Sequence, residues 1–131
     1  MSIERDYLMR QLMQLFEVIQ KILGHRKKRE NDQAEEQIRY FYSCLKVETN
    51  IRELTIEELI NYLQDERKLS NEHLELLAFV LKEQGELAVN ENDKLDYFRK
   101  SYFLLDKVER ESTSFSMDRQ MKLSELREFL N

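Results

Sequence analysis

At 131 residues the chain has room for one domain, and its 41% hydrophobic fraction is enough to build a core. Proline is absent and glycine occurs only at Gly24 and Gly85, which argues against tight hairpins and phosphate-cradling loops and for an all-α fold. The net charge of −5 argues against general nucleic-acid binding, although residues 1–30 carry seven Lys/Arg against four Asp/Glu, a local +3.

Leu8, Leu12, Leu15, Ile19 and Ile22 alternate steps of four and three and predict an amphipathic first helix. Met9, Phe16 and Leu23 flank this stripe and widen it, as suits a helix packed against two neighbours. A face left uncovered would favour a homodimer paired through the first helix. Gly24 stands where a helix C-cap belongs. The basic run His25-Arg26-Lys27-Lys28-Arg29 follows it, favourable against the dipole of a helix C-terminus. A second helix is expected from about Asp32 to Val47, with Ala34, Ile38, Phe41, Tyr42 and Leu45 inward. These two make an N-terminal helical hairpin over about 3–48.

Thr49 and Asn50 mark a break. Thr55 and Glu58 then have the spacing of a capping box and open a short third helix, with Ile56, Leu59, Ile60 and Leu63 inward. Ser70 or Asn71 caps the fourth helix, whose Leu74 to Leu81 segment is apolar nearly all round, so it is expected to be the most buried. Asn90 to Asp93 reads as a turn, with a cap at its end for the fifth helix. Leu95, Phe98, Tyr102 and Leu105 trace one face of that helix, and Tyr97, Ser101, Leu104 and Val108 an adjoining one. The last helix starts near Ser116 and is expected to turn Met117, Met121, Leu126, Phe129 and Leu130 inward. The reading is a single all-helical domain of five or six antiparallel helices over 1–131, with no linker rich in glycine or proline.

The stretch His73–Ser112 resembles one tetratricopeptide-type (TPR-like) helix hairpin. Leu81, Gly85 and Ala88 fit its first helix, and Tyr97-Phe98-Arg99-Lys100-Ser101 its second. The turn between Ala88 and Lys94 is shorter than in that repeat, Lys94 stands where alanine is usual, and no proline closes the unit. Asp6-Tyr7-Leu8-Met9-Arg10-Gln11, with Thr113-Ser114-Phe115-Ser116 and the final helix, is similar to an uncharacterised family of small bacterial helical proteins. That resemblance implies TPR-like hairpins over about 70–131, in a superhelix or a compact bundle, in a bacterial cytoplasmic protein. It implies no chemistry.

No catalytic, cofactor-binding or metal-binding residue is assigned. His25 and His73 are far apart, and the lone Cys44 has no partner at ligand spacing. Beside Phe41 and Leu45, Cys44 reads as a buried small hydrophobe in a reducing compartment. Adjacent carboxylates at Glu35-Glu36 and Glu57-Glu58 diverge by about 100° around a helix and do not face one another. The start lacks the basic n-region of a signal peptide, and the longest apolar run, Leu76–Leu81, is far shorter than the 18 or more residues of a membrane span. The expectation is therefore a cytoplasmic, non-catalytic helical scaffold or adaptor that binds a protein or peptide.

Candidate partner-binding residues fall in three groups. Asp6 and Arg10 share a helix face at i, i+4, where they can pair, and Tyr7 beside them is expected to dock the helix start on the body. Arg26, Lys27, Lys28 and Arg29 offer the alternative of contact with an anionic surface or nucleic acid. Tyr97 and Tyr102 cannot both enter the core with Phe98 and Leu105, so at least one should show its hydroxyl to a groove or to solvent. An enzyme whose site the sequence does not display is the remaining alternative.

Overall fold

A computed structural model describes residues 3–131. Among these residues the fold is all-α, with six α-helices and no strand: α1 (Ile3–Lys27), α2 (Asn31–Cys44), α3 (Ile56–Asn61), α4 (Asn71–Leu87), α5 (Glu91–Glu111) and α6 (Met117–Leu130). A 3-10 turn at Ile51–Glu53 precedes α3, and a π-helical turn at Tyr62–Glu66 extends it. The helices divide into two compact units, 1–48 and 49–131, at the break that Thr49 and Asn50 mark in the sequence.

In the first unit α1 and α2 pack along one another. Leu15, Val18, Ile19 and Ile22 form the buried side of α1, and Ala34, Ile38 and Phe41 that of α2. Of the residues that widen the stripe Leu23 is half-buried, but Met9 and Phe16 are 53% and 41% exposed, as is the neighbouring Met13 at 62%. These exposed three lie more than a quarter turn from the Leu15–Ile22 side, out of reach of α2. Gly24 is not the C-cap either. The helix runs three residues further, and Arg29 takes the left-handed conformation at φ 61°. Its amide bonds the Arg26 carbonyl at 3.0 Å while the Glu30 amide reaches back to His25 at 2.8 Å. This is a Schellman closure with arginine where glycine is usual. α2 closes the same way at Lys46 (φ 56°), with Lys46 on Ser43 and Val47 on Tyr42, so it stops at Cys44 rather than at Val47.

In the second unit each main helix starts on a side-chain cap. Thr55 Oγ1 accepts the Glu58 amide at 3.1 Å and Glu58 accepts the Thr55 amide at 2.8 Å, completing the expected capping box. Asn90 itself, rather than the end of its turn, caps α5, and Ser116 caps α6. Ser70 caps α4, and here the reciprocal acceptor is a histidine: His73 Nδ1 takes the Ser70 amide at 3.3 Å.

α4 carries ten buried residues, as its apolar circumference predicts. Its contacts with α5 link Asn71 to Glu111, Ala78 to Ser101 and Gly85 to Phe98, so the two run antiparallel. α5 and α6 are antiparallel by the same logic, through Glu109–Arg119 and Phe98–Phe129. α4 and α6 therefore run parallel, with Arg119 against Glu75, Lys122 over Phe79 and Lys82 near Glu125. The inward residues of α6 are Arg119, Leu123 and Leu126, while Met117 and Met121 are 64% and 56% exposed. Of the expected face Leu126 is buried, but Met117, Met121 and the 42%-exposed Phe129 are not, because a salt-bridged arginine, not a methionine, occupies the buried first turn.

Gly85 is where α4 and α5 meet most closely. A Cβ built there would stand 2.5 Å from Phe98 Cε1, and the ring cannot yield freely because it stacks on Phe129 with centroids 4.4 Å apart. A Cβ at Gly24 meets nothing within 4 Å. Gly85→Ala should therefore destabilise by about 1–2 kcal/mol even after the gain in helix propensity, whereas Gly24→Ala should stabilise by about 0.5–1 kcal/mol. Urea unfolding of the two variants measures both, and effects of equal sign would contradict the packing described.

Burial, partly offset by Glu72, lowers the His73 pKa below its ordinary 6.5. The unfolded chain then binds this proton more readily than the folded one, so the histidine's stabilisation is complete above about pH 6.5 and is lost as the pH falls below it. His73→Gln keeps a neutral acceptor at the same capping position. Its melting temperature should fall less than that of the parent chain between about pH 7.5 and pH 5.5.

Candidate functional site

In the first unit α1 and α2 enclose a groove of about 530 Å³. Leu15 and Val18 supply its apolar lining, Tyr7 and Tyr40 its aromatic rim, and Arg10, Glu17 and Lys21 its charges. Cys44 also lines it, half-buried rather than enclosed in a core as expected. Its hydrogen bond with Tyr40 is the main cause holding that hydroxyl above the ordinary tyrosine pKa.

Tyr7 and Arg10, two of the residues singled out from the sequence, thus meet in one groove. Tyr7 does not dock the helix start: it is 68% exposed, because one helical step from Leu8 carries it to the groove side. Asp6 and Arg10 are both exposed and do not form the predicted pair. In the basic run Lys27, Lys28 and Arg29 are exposed and Arg26 is half-buried. The run forms the closing turn of α1, and His25 Nδ1 lies 2.8 Å from Glu30 Oε1. The turn thus carries its own carboxylate.

Tyr97 and Tyr102 lie in the second unit, each half-buried under a guanidinium. Arg52 sits 5.4 Å from the Tyr97 ring centroid and Arg127 5.7 Å from that of Tyr102. Burial raises the Tyr97 pKa, with Arg52 pulling the other way. Arg52 also bonds Asp93 at 2.7 Å and Asp96 at 3.1 Å, and Asp93 chiefly holds its own pKa above the ordinary value. Buried Lys100 completes this cluster, bonding Asp96 Oδ2 at 2.7 Å and the Ile51 carbonyl at 3.0 Å. These partners fix the 3-10 turn to α5.

A second depression, about 280 Å³, lies at the N-terminal end of α4, lined by Glu72, Glu75, Glu111, Ser114 and Arg119 among others. Arg119 is its main polar anchor and is only 3% exposed. Nε donates to Glu109 at 2.7 Å, Nη1 to both Glu75 oxygens at 3.2 Å, and Nη2 to the Ser114 carbonyl at 2.9 Å. Burial opposes its charge, but Glu109 and Glu75 more than compensate, so its pKa is raised. For Glu75 burial outweighs Arg119, and the carboxyl pKa lies above its ordinary value. The sequence signal for Arg119 is its i, i+4, i+7 register with Leu123 and Leu126, which an arginine's charge hides.

Among the described residues no group of three or more His, Cys, Asp or Glu could hold a metal ion, and no helix is long and apolar enough to cross a membrane.

Replacing Arg119 by methionine leaves Glu75 and Glu109 half-sheltered without their cation, which should cost about 2–4 kcal/mol. Glu75→Gln removes a charge that burial already disfavours and should cost about 1 kcal/mol or less. Chemical denaturation at neutral pH gives the ratio; equal losses would mean that the Glu75–Arg119 ion pair, not relief of the buried Glu75 charge, dominates. Neither a scan against protein-family models nor searches of curated proteins and of solved structures finds a match for this chain.

Proposed function

We propose that the chain is a non-catalytic helical adaptor that binds a protein or peptide, with α1 as the binding helix. The observation that carries this reading is the two-sided character of α1. It buries one apolar side yet leaves Met9, Met13, Phe16 and Tyr7 in solvent beside a groove lined by Leu15 and Val18. An apolar floor with an aromatic rim and flanking charges is the composition of a peptide-binding groove. The resemblance of the later helices to tetratricopeptide-type hairpins supports the same class of role. Arg10 and Lys21 at the groove favour a ligand with acidic residues next to its apolar anchor.

The probe is a library of phage-displayed random peptides selected on the intact chain. Enriched peptides should combine an apolar anchor with Asp or Glu, and should lose at least about tenfold in affinity on the double variant Tyr7→Glu/Tyr40→Glu. Both positions are exposed, so the variant should retain its helical signal. Absence of enrichment, or binders indifferent to the double change, would overturn the groove as the site.

A further inference from the structure

We propose that the solvent face of α1 pairs with the same face of a second copy, the two helices running antiparallel about a two-fold axis near Met13. This deepens the reading of α1 as the binding helix and rests on it.

Met9, Met13 and Phe16 are spaced i, i+4, i+7 and form one narrow stripe, each more than two-fifths exposed. Three such side chains in register on a surface helix are a seam rather than scattered exposure. What covers the seam is given by the charges along one side of it. Asp6, Arg10, Glu17 and Lys21 form a row on that side, all four are exposed, and none makes an ion pair among the described residues. In an antiparallel pair related by a two-fold axis, this row meets itself reversed. Asp6 then faces Lys21 of the second copy and Arg10 faces its Glu17, each contact occurring twice. Both pairings are centred on the same point, between Met13 and Gln14, and the apolar stripe is centred one residue away, so the stripes of the two copies overlap with an offset of about 3 Å along the axis. A row of four charges that is complementary to its own reverse, in a register that also overlaps most of the apolar seam, identifies the occupant as α1 itself. The 25 residues of α1 extend about 37 Å, so the overlap from Asp6 to Lys21 lies within one uninterrupted helix.

The test uses sedimentation velocity and light scattering on the intact chain from low to high micromolar concentration. A monomer–dimer equilibrium is expected, and Met13→Glu should weaken it at least about tenfold while helicity is unchanged, because Met13 is 62% exposed. Arg10→Glu alone and Glu17→Arg alone each place like charges at two symmetric contacts and should each shift the chain toward monomer. An equimolar mixture of the two variants should restore dimer, since every contact between unlike copies is again complementary. A parent chain that stays monomeric throughout would overturn the pairing, as would a dimer indifferent to Met13→Glu. Failure of the mixture to recover would overturn the antiparallel register. A monomer that still captures library peptides through Tyr7 and Tyr40 would overturn self-pairing while leaving the groove reading intact.

Discussion

The second unit depends on the burial of one guanidinium. Arg119 has almost no access to water, so each of its donors must find an acceptor inside the protein or the helix carrying it cannot pack. The acceptors come from three places: Glu75 on α4, Glu109 on α5, and the Ser114 carbonyl in the connection between α5 and α6. Satisfying all of them at once fixes the rotation of α6 about its axis and its height along α4. The parallel course of α4 and α6 follows, with Lys122 over Phe79 and Lys82 near Glu125 one and two turns further along. The same rotation turns Met117 and Met121 to solvent. Hydrophobic burial alone would have favoured the methionines, which is the face the apolar pattern suggests. The ion pairs add little net stability in such a site; what they supply is a single admissible orientation.

Long cations also take over work that glycine does in other chains. Three non-glycine residues have positive φ, and all three are basic: Arg29, Lys46 and Lys68. Left-handed backbone at such residues costs about 1–2 kcal/mol each, which the double closures at the ends of α1 and α2 offset by satisfying terminal carbonyls. At the end of α4 the solution differs again. Lys94 donates to the Gly85 and Glu86 carbonyls and lies 5.7 Å from the Phe98 ring centroid. No residue of that connection takes the left-handed conformation; a side chain from the next helix supplies the donor instead. That gives a physical reason for lysine where a tetratricopeptide-type hairpin has alanine.

Helix starts were legible because their chemistry is local. Thr55 with Glu58, Ser70, and Ser116 each supply an oxygen to an amide three residues on, and no distant residue is needed to find them. Gly85 was legible for a different reason: in a chain with two glycines, one within an apolar helix marks a close approach. Helix ends were not, since three basic residues in left-handed conformation leave no compositional mark. The buried cations were hidden as well. Lys100, Lys82 and Arg119 look like solvated charges until their partners, up to 49 residues away, are in place. Of the residues considered for binding, Tyr7 and Arg10 share a groove with Tyr40 and Cys44 only because α2 folds back on α1. That pairing is long-range, and no local pattern of the α1 sequence contains it.

The difference between the two sides of α1 bears on what the exposed one is for. The buried side uses Leu15, Val18, Ile19 and Ile22, branched side chains with few rotamers that hold one fixed packing. The exposed stripe uses two methionines and a phenylalanine. Methionine's three flexible torsions and polarisable sulfur let it remain solvated at modest cost and still fill an irregular surface when one arrives. A helix that needed only to cap its own unit would carry polar residues at these positions, as it does at Gln14 and Gln20. Flexible apolar side chains in register, bordered by charges with no ion-pair partner among the described residues, are instead the composition of a surface that is covered part of the time. The same helix can then contribute to the core with one side and to recognition with the other, without either demand constraining the residues of the opposite face.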